Sequence, residues 1–136
     1  MLIRDYRPED LAQILQLWEQ TTVADSGGRG LAVEQVIRLL SDERAIVLVA
    51  DVDGRLGGAV LAALSPVTAW IYRLSLRPEG ADEQTIAEGL LEQLEARVAM
   101  AGIRTLAVVI DEGEQLAGYL PAAWLSRLRR ASLFRA

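Results

Sequence analysis

The side chains able to do chemistry in this chain are carboxylates, arginines, hydroxyls and three tyrosines. Cysteine and histidine are absent, and every basic residue is an arginine. Thiolate nucleophiles, histidine-based triads, the usual zinc sites and lysine Schiff bases are therefore excluded, and no metal site is expected. What remains is proton transfer by carboxylate or phenol, recognition by guanidinium groups, and binding by backbone amides or a cofactor. Asp111 and Glu112 follow directly on the apolar run Thr105–Ile110. Carboxylates just past the end of a strand sit where ligands gather in open α/β sheets, so both are candidate bases. Arg73 and Ser75 lie within the run Thr68–Leu76, where strand alternation turns them away from Trp70 and Tyr72; both are candidate site residues. Gly27, Gly28 and Arg29 stand in a glycine-rich stretch that reads as a connector and is placed to shape a substrate pocket. It has no lysine and lacks the strand–helix setting of a phosphate loop.

The elements that must position these groups centre on residues 68–102. Thr68–Leu76 is rich in aromatic and β-branched residues and reads as a strand, with Trp70, Tyr72, Leu74 and Leu76 on one face. Pro78 and Gly80 break it. Ile86, Leu90, Leu91, Leu94 and Val98 then recur at helical spacing, and Gly102 stops that helix. Thr105–Ile110 is a second strand. A strand–helix–strand unit of this length implies a parallel pair with a right-handed crossover, and the gap between the strands, at the start of the helix, is a natural ligand site. Thr85-Ile-Ala-Glu88 fits a capping box.

Upstream, Leu2–Asp5 reads as a short strand. Pro8, Glu9 and Asp10 suit a helix start, and Leu11, Ile14, Leu15 and Trp18 form its apolar stripe. A second helix carries Val33, Val36, Ile37 and Leu40. Ala45–Val52 is a buried strand; Asp53-Gly54 is a hairpin turn; Arg55–Leu64 returns, with Gly57 and Gly58 marking a bulge or a close backbone approach. After Ile110 come a polar loop, a helix around residues 120–130 and a short apolar stub, residues 132–135. The predicted order is β-α-α-β-β-β-α-β-α with a terminal strand stub, an α/β (α+β) fold with a mixed, mostly antiparallel sheet of five to six strands flanked by helices. The 136 residues make one domain, 1–136. A net charge of −5 argues against nucleic acid as a partner. No apolar run reaches the ~20 residues of a membrane span and the N-terminus does not read as a signal peptide, so a cytoplasmic protein is expected.

This order resembles the GCN5-related N-acetyltransferase (GNAT) family over nearly the whole chain. Arg7-Pro-Glu-Asp-Leu11 is similar to the opening of that family's first helix, Ile46–Val60 to its second and third strands, Leu74-Ser-Leu-Arg-Pro-Glu79 to the end of its fourth strand, and Leu90–Ile103 to its third helix and exit. The resemblance implies acyl-CoA-dependent acetylation of an amine on a small molecule or protein, with acetyl-CoA in the cleft between the fourth and fifth strands. It implies cofactor contacts from Leu74, Ser75 and Leu76. A glycine-containing loop at the helix start would bind the pyrophosphate; the register Gln84-Thr-Ile-Ala87-Glu-Gly89 offers Gln84, Thr85, Ala87 and Gly89. It also implies a tyrosine acid near the last helix, a place that Tyr119 could fill, and acceptor contacts from Gly27, Gly28, Arg29 and Arg73. The chain departs from the pattern in its acidic run Glu79, Asp82, Glu83, Glu88, Glu92 and Glu95 and in its short C-terminus. A catalytically inactive GNAT-like binding or regulatory module, or a cleft holding another ligand, therefore stands beside the enzyme. The edge of Thr105–Ile110 is left to be covered by the C-terminal segment, either within the chain or across to a second copy; the latter suggests a homodimer, with Trp124, Leu125 and Leu128 as apolar contacts and Arg127, Arg129, Arg130 and Arg135 facing an acidic helix.

Overall fold

The computed structural model describes residues 1–20, 24–25, 33–77, 83–110 and 133–135. Its elements are β1 (Leu2–Asp5), a single 3-10 turn (Pro8–Asp10), α1 (Leu11–Gln20), β2 (Ala24–Asp25), α2 (Val33–Leu40), β3 (Ala45–Val52), β4 (Arg55–Leu64), β5 (Thr68–Leu76), α3 (Glu83–Met100), β6 (Thr105–Ile110) and β7 (Leu133–Arg135). The sheet runs β1-β3-β4-β5-β6-β7, with β2 added on β5. Pairing is antiparallel from β1 to β5 and between β2 and β5; β5–β6 and β6–β7 are parallel. The mixed, mostly antiparallel sheet expected from the sequence is present, its terminal stub included as β7, with one short strand, β2, more than the hydrophobic pattern shows.

Alternation along β3 builds a core on each face. Leu48 and Ala50 join Val60, Ala62, Ala69, Ile71, Leu74 and Leu76 beneath α3, whose Ile86, Leu90, Leu91, Leu94 and Val98 are all buried. Val47 and Val49 join Ala59 and Leu61 beneath α1, where Ile14, Leu17 and Trp18 are buried. Leu17 joins the expected stripe as a buried member, while Leu11 and Leu15 are half-buried. Gly102, with φ +78, ends α3 as a left-handed residue, and Asp53 and Gly54, at φ 54 and 85, make the β3–β4 turn.

Two bulges set the geometry. Ala50 pairs with Gly58 and Asp51 with Leu56, leaving Gly57 as the extra residue. Here both sequence expectations hold, since the glycines also let α3 approach closely. A Cβ on Gly58 would lie 2.9 Å from Ile86 Cγ2, 3.0 Å from Leu76 Cδ2 and 3.1 Å from the Ser75 carbonyl oxygen. Gly58→Ala is expected to destabilise the fold by about 1–3 kcal/mol through overpacking; an unchanged melting temperature would show that α3 moves aside freely. The second bulge leaves Tyr72 unpaired between Ile71, opposite Ala62, and Arg73, opposite Leu61. This overturns the single-face reading of β5. Leu74 and Leu76 face α3 with Ala69 and Ile71, whereas Tyr72 packs on the α1 side and Arg73 turns to the same side, over Trp18. The extra residue breaks strict alternation.

At the C-terminus, β7 pairs in parallel with β6, Val108 opposite Leu133 and Ile110 opposite Arg135. The edge of Thr105–Ile110, expected to be covered within the chain or by a second copy, is covered there by the chain's own stub. The segment around residues 120–130 lies outside the described residues.

Candidate functional site

The parallel pair β5–β6 holds register only from Thr68 opposite Thr105 to Ile71 opposite Val108. Beyond that point β5 continues to Leu76 while β6 continues beside β7. The Tyr72 bulge falls at the parting, and bulges bend the strand that carries them. The two strands are thereby parted along the last part of β5, and β2 occupies the cleft between them, pairing with β5 and packing against β6. Ala24 and Asp25 pair there with Leu74 and Arg73. Asp25 is thus a strand residue; a two-residue strand leaves no periodicity to detect.

Arg73 and Ser75 both project from β5 on the α1 side, opposite Leu61 and Ala59. Arg73 is 8% exposed and its guanidinium carbon stands 5.4 Å from the centre of the Trp18 ring, a cation–π distance. Ser75 is fully buried and its hydroxyl has no hydrogen-bond partner among the described residues. Leu74 and Leu76 are buried beneath α3, so only their backbone groups face the cleft region.

Across the cleft, α3 begins at Glu83. Its first-turn amides have no intrahelical acceptor, which makes this end an anion site in principle. Gln84 and Thr85 are exposed in that turn. Ala87 and Gly89 lie deeper in the helix. Ala87 is buried in the core, and a Cβ on Gly89 would lie 3.3 Å from Met1 Cε and 3.5 Å from Ile3 Cδ1, facing β1 rather than the cleft. The expected Thr85–Glu88 capping box is absent because the helix starts earlier; instead Gln84 Nε2 donates to Glu88 Oε1 at 3.0 Å. Glu83 puts a half-buried carboxylate at the helix start. Gly27, Gly28, Arg29, Asp111, Glu112 and Tyr119 lie outside the described residues, and no metal-binding cluster occurs among those described.

A cavity of about 290 Å³ lies beside Tyr72, lined by Leu39, Asp42, Arg44, Ala63, Leu64, Ser65, Trp70 and Tyr72. The sequence gives no sign of it, because α2, the β3 entry and the β4–β5 hairpin meet only in the folded sheet. Asp42 caps the β3 entry: its Oδ1 accepts the Arg44 amide at 2.8 Å and Arg44 Nε at 3.5 Å. The backbone bond, followed by the side-chain bond, lowers its pKa from the ordinary aspartate value. The Ser65 hydroxyl is satisfied within its own turn, donating to the Thr68 carbonyl at 2.9 Å and accepting the Thr68 amide at 3.1 Å.

No family model matches the chain. It is 24% identical to acetyltransferase plu1384 of Photorhabdus laumondii over 120 residues, covering 88% of this chain and 82% of that protein. Among solved structures, the aminoglycoside 6'-N-acetyltransferase of Enterococcus faecium superimposes with a TM-score of 0.62 at 18% identity, over 78% of this chain and 58% of that one. The chain thus spans less than two thirds of that enzyme. The aminoglycoside N-acetyltransferase AAC(6')-Iy, in complex with CoA, gives a TM-score of 0.66 at 14% identity, over 86% of this chain and 84% of that one. The fold is that of the GNAT acetyltransferases, as the order of elements implies.

Proposed function

We propose that this chain is an acyl-CoA-dependent N-acetyltransferase acting on an amine of a small molecule or a protein. The observation that carries the reading is the parting of parallel β5 and β6 after Ile71, just before α3, in a fold shared with N-acetyltransferases. The residues present fit an acyl-CoA in two respects. The first turn of α3 offers amides to a phosphate, and the Ser75 hydroxyl on β5 is buried with no hydrogen-bond partner among the described residues. Leu74, Ser75 and Leu76 would hold the cofactor along β5, and Gln84 and Thr85 would hold it at the helix end. The bound cofactor supplies an activated acetyl thioester. An amine acceptor would take the acetyl group from that thioester, with the thiol as leaving group and one proton to be moved from nitrogen to sulfur. Asp111 or Glu112 would take up that proton and Tyr119 would deliver it.

Glu83 opposes a phosphate at the same helix end, and β2 lies along β5 at Arg73 and Leu74. Both features favour the second reading, a catalytically inactive module of the same fold with an eroded cofactor site. Calorimetry with acetyl-CoA and with CoA separates the two. Saturable binding is expected, tightened about two- to fivefold by Glu83→Gln, the scale of one exposed charge at a helix terminus. Absence of binding by both proteins at millimolar ligand would favour the inactive module.

A further inference from the structure

We infer that the cavity beside Tyr72 is an acceptor pocket that takes an alkylammonium group, held by the Asp42 carboxylate among the rings of Trp70 and Tyr72. At about 290 Å³ it suits a small molecule. Its chemistry is selective. Two half-buried aromatic rings alternate on β5, and one carboxylate shares the wall with them. Aromatic faces and a carboxylate attract the same class of ligand, a cation. The carboxylate has capacity left: both of its bonds fall on Oδ1, and Oδ2 has no partner among the described residues. Arg44 does not fill the site. It shares the lining and pairs with Asp42 Oδ1 at 3.5 Å, but its side chain is 77% exposed against 35% for Asp42, so the carboxylate is the more enclosed of the two charges. Ser65 is satisfied by Thr68 and serves as wall. A ligand carboxylate would meet Asp42 directly, and a neutral group would leave it unused. The chain's net charge of −5 also favours a cationic visitor.

Calling the visitor an acceptor rests on the acetyltransferase reading; the ammonium site itself does not. Tyr72 is the bulged residue at which β5 parts from β6 and also lines the cavity, so the cavity adjoins the point where that pairing ends. A nitrogen that attacks a thioester must be unprotonated, so the ammonium held by Asp42 is a second nitrogen. The acceptor class is therefore a small diamine, or an amine that also carries a quaternary ammonium.

The test uses the full chain, with tetramethylammonium and 1,4-diaminobutane as probes and neopentyl alcohol and pivalate as neutral and anionic controls of similar shape. The Trp70 indole N–H signal, assigned through Trp70→Phe, is followed by NMR. Both cations are expected to shift it saturably, and Asp42→Asn should weaken them roughly tenfold or more, as for loss of a charge-assisted bond. Tyr72→Leu, which keeps the carboxylate, should weaken tetramethylammonium also, and serves if Asp42→Asn fails to fold. Lack of saturation, equal binding of neopentyl alcohol, or preference for pivalate would overturn the inference. Acetylation of 1,4-diaminobutane without cation binding at Trp70 would overturn the pocket and leave the acetyltransferase reading intact. Cation binding without acetyl transfer would support the ammonium site and remove that reading.

Discussion

Leu94→Ala is expected to lower the folding free energy by about 2–5 kcal/mol, the range for truncating a fully buried leucine. Leu94 is wholly inaccessible and lies between Leu91 and Val98 on the stripe by which α3 covers the sheet. It belongs to a core cluster whose other members come from β3, β4 and β5 as well as from α3, so the space left behind lies within a close-packed interior that collapses little. Urea or thermal denaturation measures the loss. A transition unchanged within error would show that α3 does not seal the sheet through this position.

Arg4→Met should cost about 3 kcal/mol at neutral pH, by leaving a carboxylate buried without its cation. Asp10 is 3% exposed and accepts Arg4 Nη1 at 2.8 Å and Nη2 at 3.0 Å, with the Arg7 amide as a third donor at 2.8 Å. Arg4 also reaches Asp51 at 3.3 Å, so one guanidinium ties the 3-10 turn to β1 and β3. The Arg4 bonds hold the Asp10 carboxyl below the usual carboxylate range, with burial working against them. The sign follows from that depression. The unfolded aspartate binds its proton at higher pH than the folded one, so this part of the stability is fully present above roughly pH 4 and is lost as pH falls toward the folded value. In Arg4→Met burial dominates, and the acid loss should shrink or reverse. Equal stability of the two proteins at pH 7, or parallel acid-unfolding curves, would contradict this account.

Much of this architecture was readable from local pattern. The α3 stripe has buried members at every position that helical spacing names, because 3.6-residue periodicity is a property of the segment alone. The Asp53–Gly54 turn was readable for the same reason: positive φ at two successive residues needs those residue types. The departures are non-local. Tyr72 bulges because β4 and β5 slip by one residue between Leu61 and Ala62, which no alternation within β5 announces. β7 is three residues long and gains its identity only from β6. Within the candidate site, Arg73 and Ser75 were found as polar interruptions of an apolar strand, and both are buried on the α1 side. Their shared side with Tyr72 was not foreseeable, since it depends on the bulge. Asp42 reads as an ordinary turn residue until α2 and the β4–β5 hairpin meet beside it and line a cavity with it.

The pairing of Ala24–Asp25 with Leu74 and Arg73 makes part of β5 a contested surface. A ligand that uses the same backbone groups binds only the molecules in which that short strand has left them. Its apparent dissociation constant is then the intrinsic one divided by the fraction of such molecules. Affinity for the cleft is thereby set in part by residues that need never touch the ligand: substitutions that weaken β2 raise the competent population, and those that strengthen it lower occupancy without altering a single ligand contact.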